Sequence, residues 1–344
     1  KGGAGMNRLI LALVVPVTAI IITAISLSET VTPEPALFAH SQCRAVNVTD
    51  TRYRSLRGIE DIALLPRGEL LLSFYNRTLP TAPARGLATV AISELVQAEN
   101  AVFARALAGT QITLGSVHPH GIALDRSGSR LAFVNRSPRT DTAIVVWGLL
   151  GPDGFEERGR WDAPEACRAN DLAWRGAELV VSLDRETCGW SMSELMPGAA
   201  TGSVVKVGFG REERLAEGLA WANGLALDGG TVLVAETRAN RVVNLSDGSF
   251  IELPGGPDNM NPGPNDTQII AVHPDLFDYW LYSMQYSGTA PSRILALQPD
   301  QGLIEILFDD PFGDVFSGAT SAVFYNNTLV AGSAFGDGLL VCTR

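Results

Sequence analysis

Apolar residues in this chain fall into short alternating runs, each followed by a Gly-, Asp- or Pro-rich turn and then by a second, almost continuously apolar run. This strand-turn-strand pattern occurs six times: "GIEDIALLPRGELLLSF" from Gly58, "PHGIALDRSGSRLAFV" from Pro119, "ANDLAWRGAELVVSL" from Ala169, "ANGLALDGGTVLVAE" from Ala222, "IIAVHPDLFDYWLYS" from Ile269 and "GATSAVFYNNTLVAGS" from Gly318. Period-two alternation with glycine at the turns predicts strands. A spacing of roughly fifty residues leaves room for four short strands per unit, as the blades of a β-propeller require. The expected fold is therefore all-β, a six-bladed β-propeller over 43-344. Few stretches read as helix. "ISELVQAENAVFARAL" (Ile92 to Leu107) has helical spacing, "SMSELM" (Ser191 to Met196) reads as a short helix or covering loop, and "GGPDNMNPGPNDTQ" (Gly255 to Gln268) reads as a long loop.

Polar residues stand at the heads of the first strands: Glu60 and Asp61, His120, Asn170 and Asp171, and Asn223, with Asp258 and Asn259 where a fifth head is due. A ring of blades brings these heads together at its axis. Carboxylate and amide oxygens are hard ligands suited to calcium rather than to zinc or copper. Neighbouring residues on a strand point to opposite sides, so Glu60 and Asn170 would serve one ion and Asp61 and Asp171 a second, deeper one with the carbonyl of Ile122. For any single residue of this set, capping of local backbone groups is explanation enough. The convergence of the whole set favours a cation, because buried oxygens without a partner are costly.

Composition narrows the function. A formal charge of -11 and only two lysines, Lys1 and Lys206, argue against a nucleic-acid partner and against Schiff-base chemistry. No G-x-S-x-G, H-E-x-x-H or P-loop motif is present. Leu9 to Leu27 is an uncharged apolar run, preceded by Arg8 and followed by Glu29 and Glu34. It reads as a signal anchor or a cleaved signal peptide over 1-27, with a Pro-containing stalk over 28-42, and it places the remainder in the lumen or outside. Sequons at Asn47, Asn76, Asn135, Asn244, Asn265 and Asn326 fit the secretory pathway. Four cysteines, none in a zinc spacing, read as disulfides: a bridge between Cys43 and Cys342 would close the ring, and one between Cys167 and Cys188 would close a local loop.

The fragments "GIEDIALLPRGELLLS", "HPHGIALD", "ANDLAW", "ANGLAL" with "VLVAE", and the closing "GATSAVFYNNTLVAGSAFGDGLLVC" resemble the paraoxonase/arylesterase family of calcium-dependent six-bladed propellers. "LPGGPDNM" is similar also to strictosidine-synthase-like and gluconolactonase-like relatives. The resemblance covers nearly everything after Cys43. It implies a catalytic calcium held by Glu60, Asn170, Asn223, Asp258 and Asn259, and a structural calcium held by Asp61, Asp171 and the carbonyl of Ile122. It also implies a bridge between Cys43 and Cys342, an active-site role for His120, and a supporting acid at Asp184. The family's second histidine falls at Arg136, so a His-His relay is absent; an arginine there depresses the pKa of His120. The expected activity is hydrolysis of a lactone or aryl ester, with His120 or Asp258 as base and with Trp190, Met192 and Tyr286 shaping a pocket. The alternatives are a calcium-stabilised binding propeller and a strictosidine-synthase-like enzyme.

Overall fold

The computed structural model describes residues 35–109, 117–137, 142–188, 199–208 and 211–344. The apolar leader, Trp190, Met192 and the "SMSELM" segment lie outside the described residues. Among the described residues no helix is long and apolar enough to cross a membrane.

Six antiparallel sheets form the body. Strand β1 (Cys43–Thr49) is set aside for the last blade. Blade 1 contains β2 (Ile59–Leu65), β3 (Glu69–Tyr75) and β4 (Arg85–Ala91), and its outer edge is the short β6 (Arg105–Ala106), which follows β5 (Ala101–Phe103). Blade 2 runs through β7 (Pro119–Leu124), β8 (Arg130–Ser137), β9 (Thr142–Gly151) and β10 (Gly154–Trp161). Blade 3 comprises β11 (Ala169–Arg175), β12 (Glu178–Leu183), β13 (Gly202–Gly208) and β14 (Arg211–Leu219). Blade 4 comprises β15 (Ala222–Asp228), β16 (Thr231–Glu236), β17 (Arg241–Asn244) and β18 (Phe250–Glu252). Blade 5 comprises β19 (Gly256–Pro262), β20 (Gln268–His273), β21 (Ser292–Gln298) and β22 (Leu303–Asp310). Blade 6 joins β23 (Ala319–Tyr325), β24 (Thr328–Ser333) and β25 (Leu339–Thr343) to β1, with β5 added in parallel outside β1. The first strand of every blade touches the first strands of both neighbours, so the ring is closed at six.

Burial explains the sequence pattern. Second strands such as Glu69–Tyr75 and Thr328–Ser333 lie in mid-blade and are covered on both faces, so beyond Glu69 they carry no charged residue; the outer β14, "REERLAEGL", is largely exposed. Glycine supplies the left-handed positions in the hairpin turns, with φ of 77° at Gly68 and 70° at Gly128.

Two expectations need correction. The segment Gly255 to Gln268 is not one loop, since Gly256–Pro262 is the first strand of blade 5; Ile269 therefore lies in the second strand, and "DLFDYWLYS" ends in a helix, Leu276–Ser283, capped by Asp275. Ile92 to Leu107 forms only the short helix Ile92–Gln97 before two edge strands. Ahead of β1, Phe38 is buried in the core, and its N–H donates to Leu307 O at 2.9 Å.

Closure joins the two ends of the body. Cys43 on β1 is the cross-strand partner of Cys342 on β25, and the two are bonded; Cys167 and Cys188 form the second disulfide. Because the first bridge spans a separation of 299 residues, it removes the entropy of a very long unfolded loop. Replacing Cys43 and Cys342 by alanine should lower unfolding stability by about 2–5 kcal/mol, read by denaturant titration with and without reductant. Unchanged stability would show that β-sheet pairing alone holds the ring.

Candidate functional site

Each first strand breaks its ladder at the same place. Register shifts fall between Ile59 and Asp61, Pro119 and Ile122, Ala169 and Leu172, Ala222 and Leu225, Pro257 and Met260, and Ala319 and Ser321. A bulge re-aims side chains and frees backbone groups from pairing. The residues in these bulges are Glu60, His120, Asn170, Asn223, Asp258 and Thr320, each followed by Asp61, Gly121, Asp171, Gly224, Asn259 or Ser321. The polar heads therefore do come together, and the fifth pair is in phase with the rest. All are buried: Glu60 and Asp61 are each 3% exposed, Asn170 and Asn223 5%, and Asn259 1%.

The glycines of blades 2 and 4 make room for their neighbours. A Cβ at Gly121 would stand 2.6 Å from Asp171 Oδ1, and one at Gly224 would stand 2.3 Å from Asp258 O. Asp61 and Asp171 tie blades together across these gaps. Asp61 Oδ2 accepts the Ile122 N–H at 2.8 Å and its Oδ1 accepts Ser321 Oγ–H at 2.8 Å, while Asp171 Oδ2 accepts the Leu225 N–H at 2.7 Å. It is thus the Ile122 N–H that meets Asp61. Burial, reinforced by the Glu60 charge, raises the Asp61 carboxyl to about 8, and burial with the nearby Asp61 pushes Asp171 well above the ordinary range.

Several oxygens at the axis lack a hydrogen-bond partner: Asn170 Oδ1, Asn223 Oδ1, Asn259 Oδ1, Asp171 Oδ1 and Glu60 Oε2. Buried acceptors are normally satisfied, so a group of orphans calls for a ligand. Carboxylates whose ionisation is suppressed by burial and mutual repulsion, set beside orphan amide oxygens, form a donor set that fits a hard divalent cation such as calcium. Among the described residues no group of three His, Cys, Asp or Glu side chains forms a metal cluster.

The second strands end beside these heads and supply residues the sequence reading missed. Arg77, after β3, places Nη2 2.8 Å from His120 Nδ1 and 3.7 Å from Glu60 Oε2. His120 Nδ1 also stands 3.1 Å from Glu60 Oε2, although that oxygen makes no hydrogen bond of acceptable geometry. A guanidinium only donates, so Nδ1 is the acceptor and Nε2 carries the proton. Burial lowers the His120 pKa, and Arg136 and Arg77 lower it further against the opposing pull of Glu60. Burial opposes ionisation of Glu60, yet His120 and Arg77 hold its carboxyl well below the usual range. A neutral His120 cannot supply that attraction; Arg77, charged at any pH of interest, keeps Glu60 ionised.

Asp184, 1% exposed, is paired with Arg136 at 3.1 Å and with Arg185 at 3.3 Å. Asp258 Oδ2 lies 2.9 Å from Nε2 of His273, at the end of β20, and the His273 ring stacks on Tyr279 at 3.6 Å. His118 is buried and places Nε2 3.1 Å from Pro80 O. Tyr286, expected to shape a pocket, is 74% exposed. Arg77 and Asp184 stand just beyond an apolar second strand and His273 at the end of one, a position the chain marks without saying which blade each residue faces.

No family model matches the chain. Two curated relatives do, the serum paraoxonase/arylesterase 1 of Rattus norvegicus and that of Mus musculus, each 23% identical over 308 residues that cover 81% of this chain and 84% of the relative. The chain resembles the paraoxonase/arylesterases. Solved propellers of other kinds share the fold. The holo pyranose dehydrogenase PQQ domain from Coprinopsis cinerea has a TM-score of 0.53 at 12% identity, covering 91% of this chain and 98% of that one. An inactive virginiamycin B lyase from Staphylococcus aureus has a TM-score of 0.52 at 10% identity, covering 88% and 99%. A gluconolactonase from Xanthomonas campestris has a TM-score of 0.50 at 17% identity, covering 91% and 99%. At these identities the structures establish the architecture of this paraoxonase-like chain and leave its chemistry to its own residues.

Calcium in excess over its dissociation constant should raise the melting temperature of the protein by several degrees, since a ligand at about 100 times Kd adds roughly 2.7 kcal/mol. Asn223→Ala should remove most of that rise. A melting curve indifferent to calcium and to chelator would contradict the cation site.

Proposed function

We propose that the protein is a calcium-dependent hydrolase of lactones or aryl esters that works at the axial end of the ring where the first strands begin. The observation that carries this reading is the group of orphan oxygens on Glu60, Asn170, Asn223 and Asn259, in a chain similar to serum paraoxonase/arylesterases. Glu60, Asn170, Asn223, Asp258 and Asn259 would hold the catalytic cation, and Asp61, Asp171 and Ile122 a structural one. The chemistry such a cation supplies when bound is Lewis-acid polarisation of the ester carbonyl.

The remaining steps belong to side chains. Asp258, oriented by His273 at 2.9 Å, is the candidate base or nucleophile. The Tyr279 stack fixes the plane of His273 and so the direction from which Asp258 is held. His120 is poorly placed as a base, because Arg77 occupies its Nδ1; its Nε2–H can instead donate toward an oxygen in the channel. Asp184 locks Arg136 to the edge of blade 3, where Arg136 Nη2 also donates to Ala169 O. The blocked His120 also favours the second reading, a calcium-stabilised propeller that binds a ligand without turning it over. Export through the secretory pathway, by anchor or cleaved leader, accords with the two disulfides and with serum relatives.

Purified protein should hydrolyse phenyl acetate and a δ-lactone, lose that activity with chelator and regain it with calcium. Asp258→Asn should lower kcat by about 10²–10⁴-fold, in the range of a lost general base. His120→Gln should cost far less than Asp258→Asn. Calcium binding without turnover across such a panel would leave the binding reading in its place.

A further inference from the structure

The six Asn-x-Ser/Thr sequons stand in different settings in the fold. Two of them follow a tyrosine directly, Tyr75-Asn76 and Tyr325-Asn326. At the first the ring is already covered: Tyr75 is buried, Arg77 lies 4.3 Å from its centroid, and His118 meets it at right angles at 5.3 Å. The Asn76 side-chain oxygen also accepts the N–H groups of Thr78 and Leu79, which folds that side chain onto its own turn. Asn135 lies inside β8, with its side-chain oxygen on the His118 N–H at 2.7 Å. The side-chain oxygens of Asn47 and Asn244 accept from the hydroxyls of Ser55 and Ser246, and Asn265 follows a proline.

Asn326 opens the two-residue turn between β23 and β24, where Asn326 and Asn327 have φ of 46° and 62° and both are exposed. Positive φ at both central positions marks a type I′ turn, which asparagine tolerates better than most residues. The residues that close the turn, Tyr325 and Thr328, are direct cross-strand partners, so their side chains lie side by side on one face. That face opens on a groove of about 380 Å³, whose walls include Gly68 of blade 1, Val96 and Gln97 of the helix Ile92–Gln97, and Tyr325, Asn326 and Thr328. Val96 is 37% exposed, although Ile92 and Leu95 of the same helix are buried in the core. Gly68 lets the tyrosine ring approach the blade 1 turn, since a Cβ there would stand 2.7 Å from Tyr325 Cε1. The first sugar of an N-linked glycan presents an apolar face of C–H groups and an acetyl methyl, which pack on an aromatic ring and an aliphatic wall as other apolar groups do. The turn is at the far end of β23 from its head at Thr320, so a glycan there leaves the axial site open.

We infer that Asn326 is an N-glycosylation site whose first N-acetylglucosamine seats in this groove, between the Tyr325 ring and the Thr328 methyl. The inference rests on export through the secretory pathway and is independent of the hydrolase reading. The bond that forms joins Asn326 Nδ2 to the anomeric carbon of an oligosaccharide carried on a lipid diphosphate. The bond that breaks is the one from that carbon to the diphosphate oxygen; the lipid diphosphate leaves and Nδ2 gives up one proton. The test is site mapping and thermal melting of the full chain produced in a eukaryotic cell line. Enzymatic release of glycans in heavy-oxygen water converts each occupied asparagine to labelled aspartate, and the Asn326 peptide should carry the label. Asn326→Asp, which keeps a residue tolerant of positive φ, should lower the melting temperature of the glycoprotein by about 2 °C. In a Tyr325→Leu background the same change should shift it by less than about 1 °C. In protein made in a bacterium without glycans, Asn326→Asp should leave melting unchanged, which separates the sugar from the side chain. Label at other sequons with Asn326 bare would overturn the site and keep the export reading. Label at none of them would remove the export reading and the site together. Equal losses with and without Tyr325, or with and without the glycan, would overturn the seating in the groove.

Discussion

Desolvated oxygen at the axis of the ring is the constraint on which the rest of the structure depends. Closing six blades drives the heads of six strands into a space from which bulk water is excluded, and the bulge in each head turns oxygen-bearing side chains into that space. Apolar residues there would have given a tighter and cheaper core. The chain instead places Glu60, Asp61, Asp171 and three asparagines at the axis, and it accommodates them with Gly121 and Gly224, where any side chain would strike the neighbouring blade. Asp61 and Asp171 each spend one oxygen on a backbone N–H of the next blade, so the polar centre also carries the contacts between blades.

The ends of the second strands complete this arrangement. Arg77, Arg136, Thr237 and His273 reach back over the heads of their own or neighbouring blades, each with a defined partner. Their consequence is a division of labour among groups that look alike in sequence. His120, fixed by Arg77 and lowered in pKa by burial and two arginines, is left as a donor. Asp258, held by His273, is left as the oriented carboxylate. Arg136 joins Arg77 in lowering the His120 pKa, and it is Arg77 that occupies the Nδ1 side of the ring.

Much of this was legible from residue order. The heads of blades 1 to 4 announce themselves as one or two residues ahead of an Ile, Leu or Ala run, and glycine marks the turns; the Thr320–Ser321 head of blade 6 emerges only from its bulge. Blade 5 was misphased because Gly256–Pro262 has the composition of a loop, and only burial between blades 4 and 6 makes it a strand. The helix Leu276–Ser283 was hidden behind apolar residues that fit either period, although Asp275, which accepts the N–H groups of Phe277 and Asp278, was a readable cap. Arg77 and His273 were missed for a different reason. Their roles depend on which blade they face, and no spacing rule within one unit supplies that information.

The most direct test of this account is the coordination sphere of an ion at the axis, obtained from a crystal of the protein grown with calcium and located by anomalous scattering. The expected result is an ion ligated by oxygens of Glu60, Asn170, Asn223, Asp258 and Asn259 at about 2.3–2.6 Å. An axis without an ion, with the same amide oxygens turned onto protein or water donors, would contradict it.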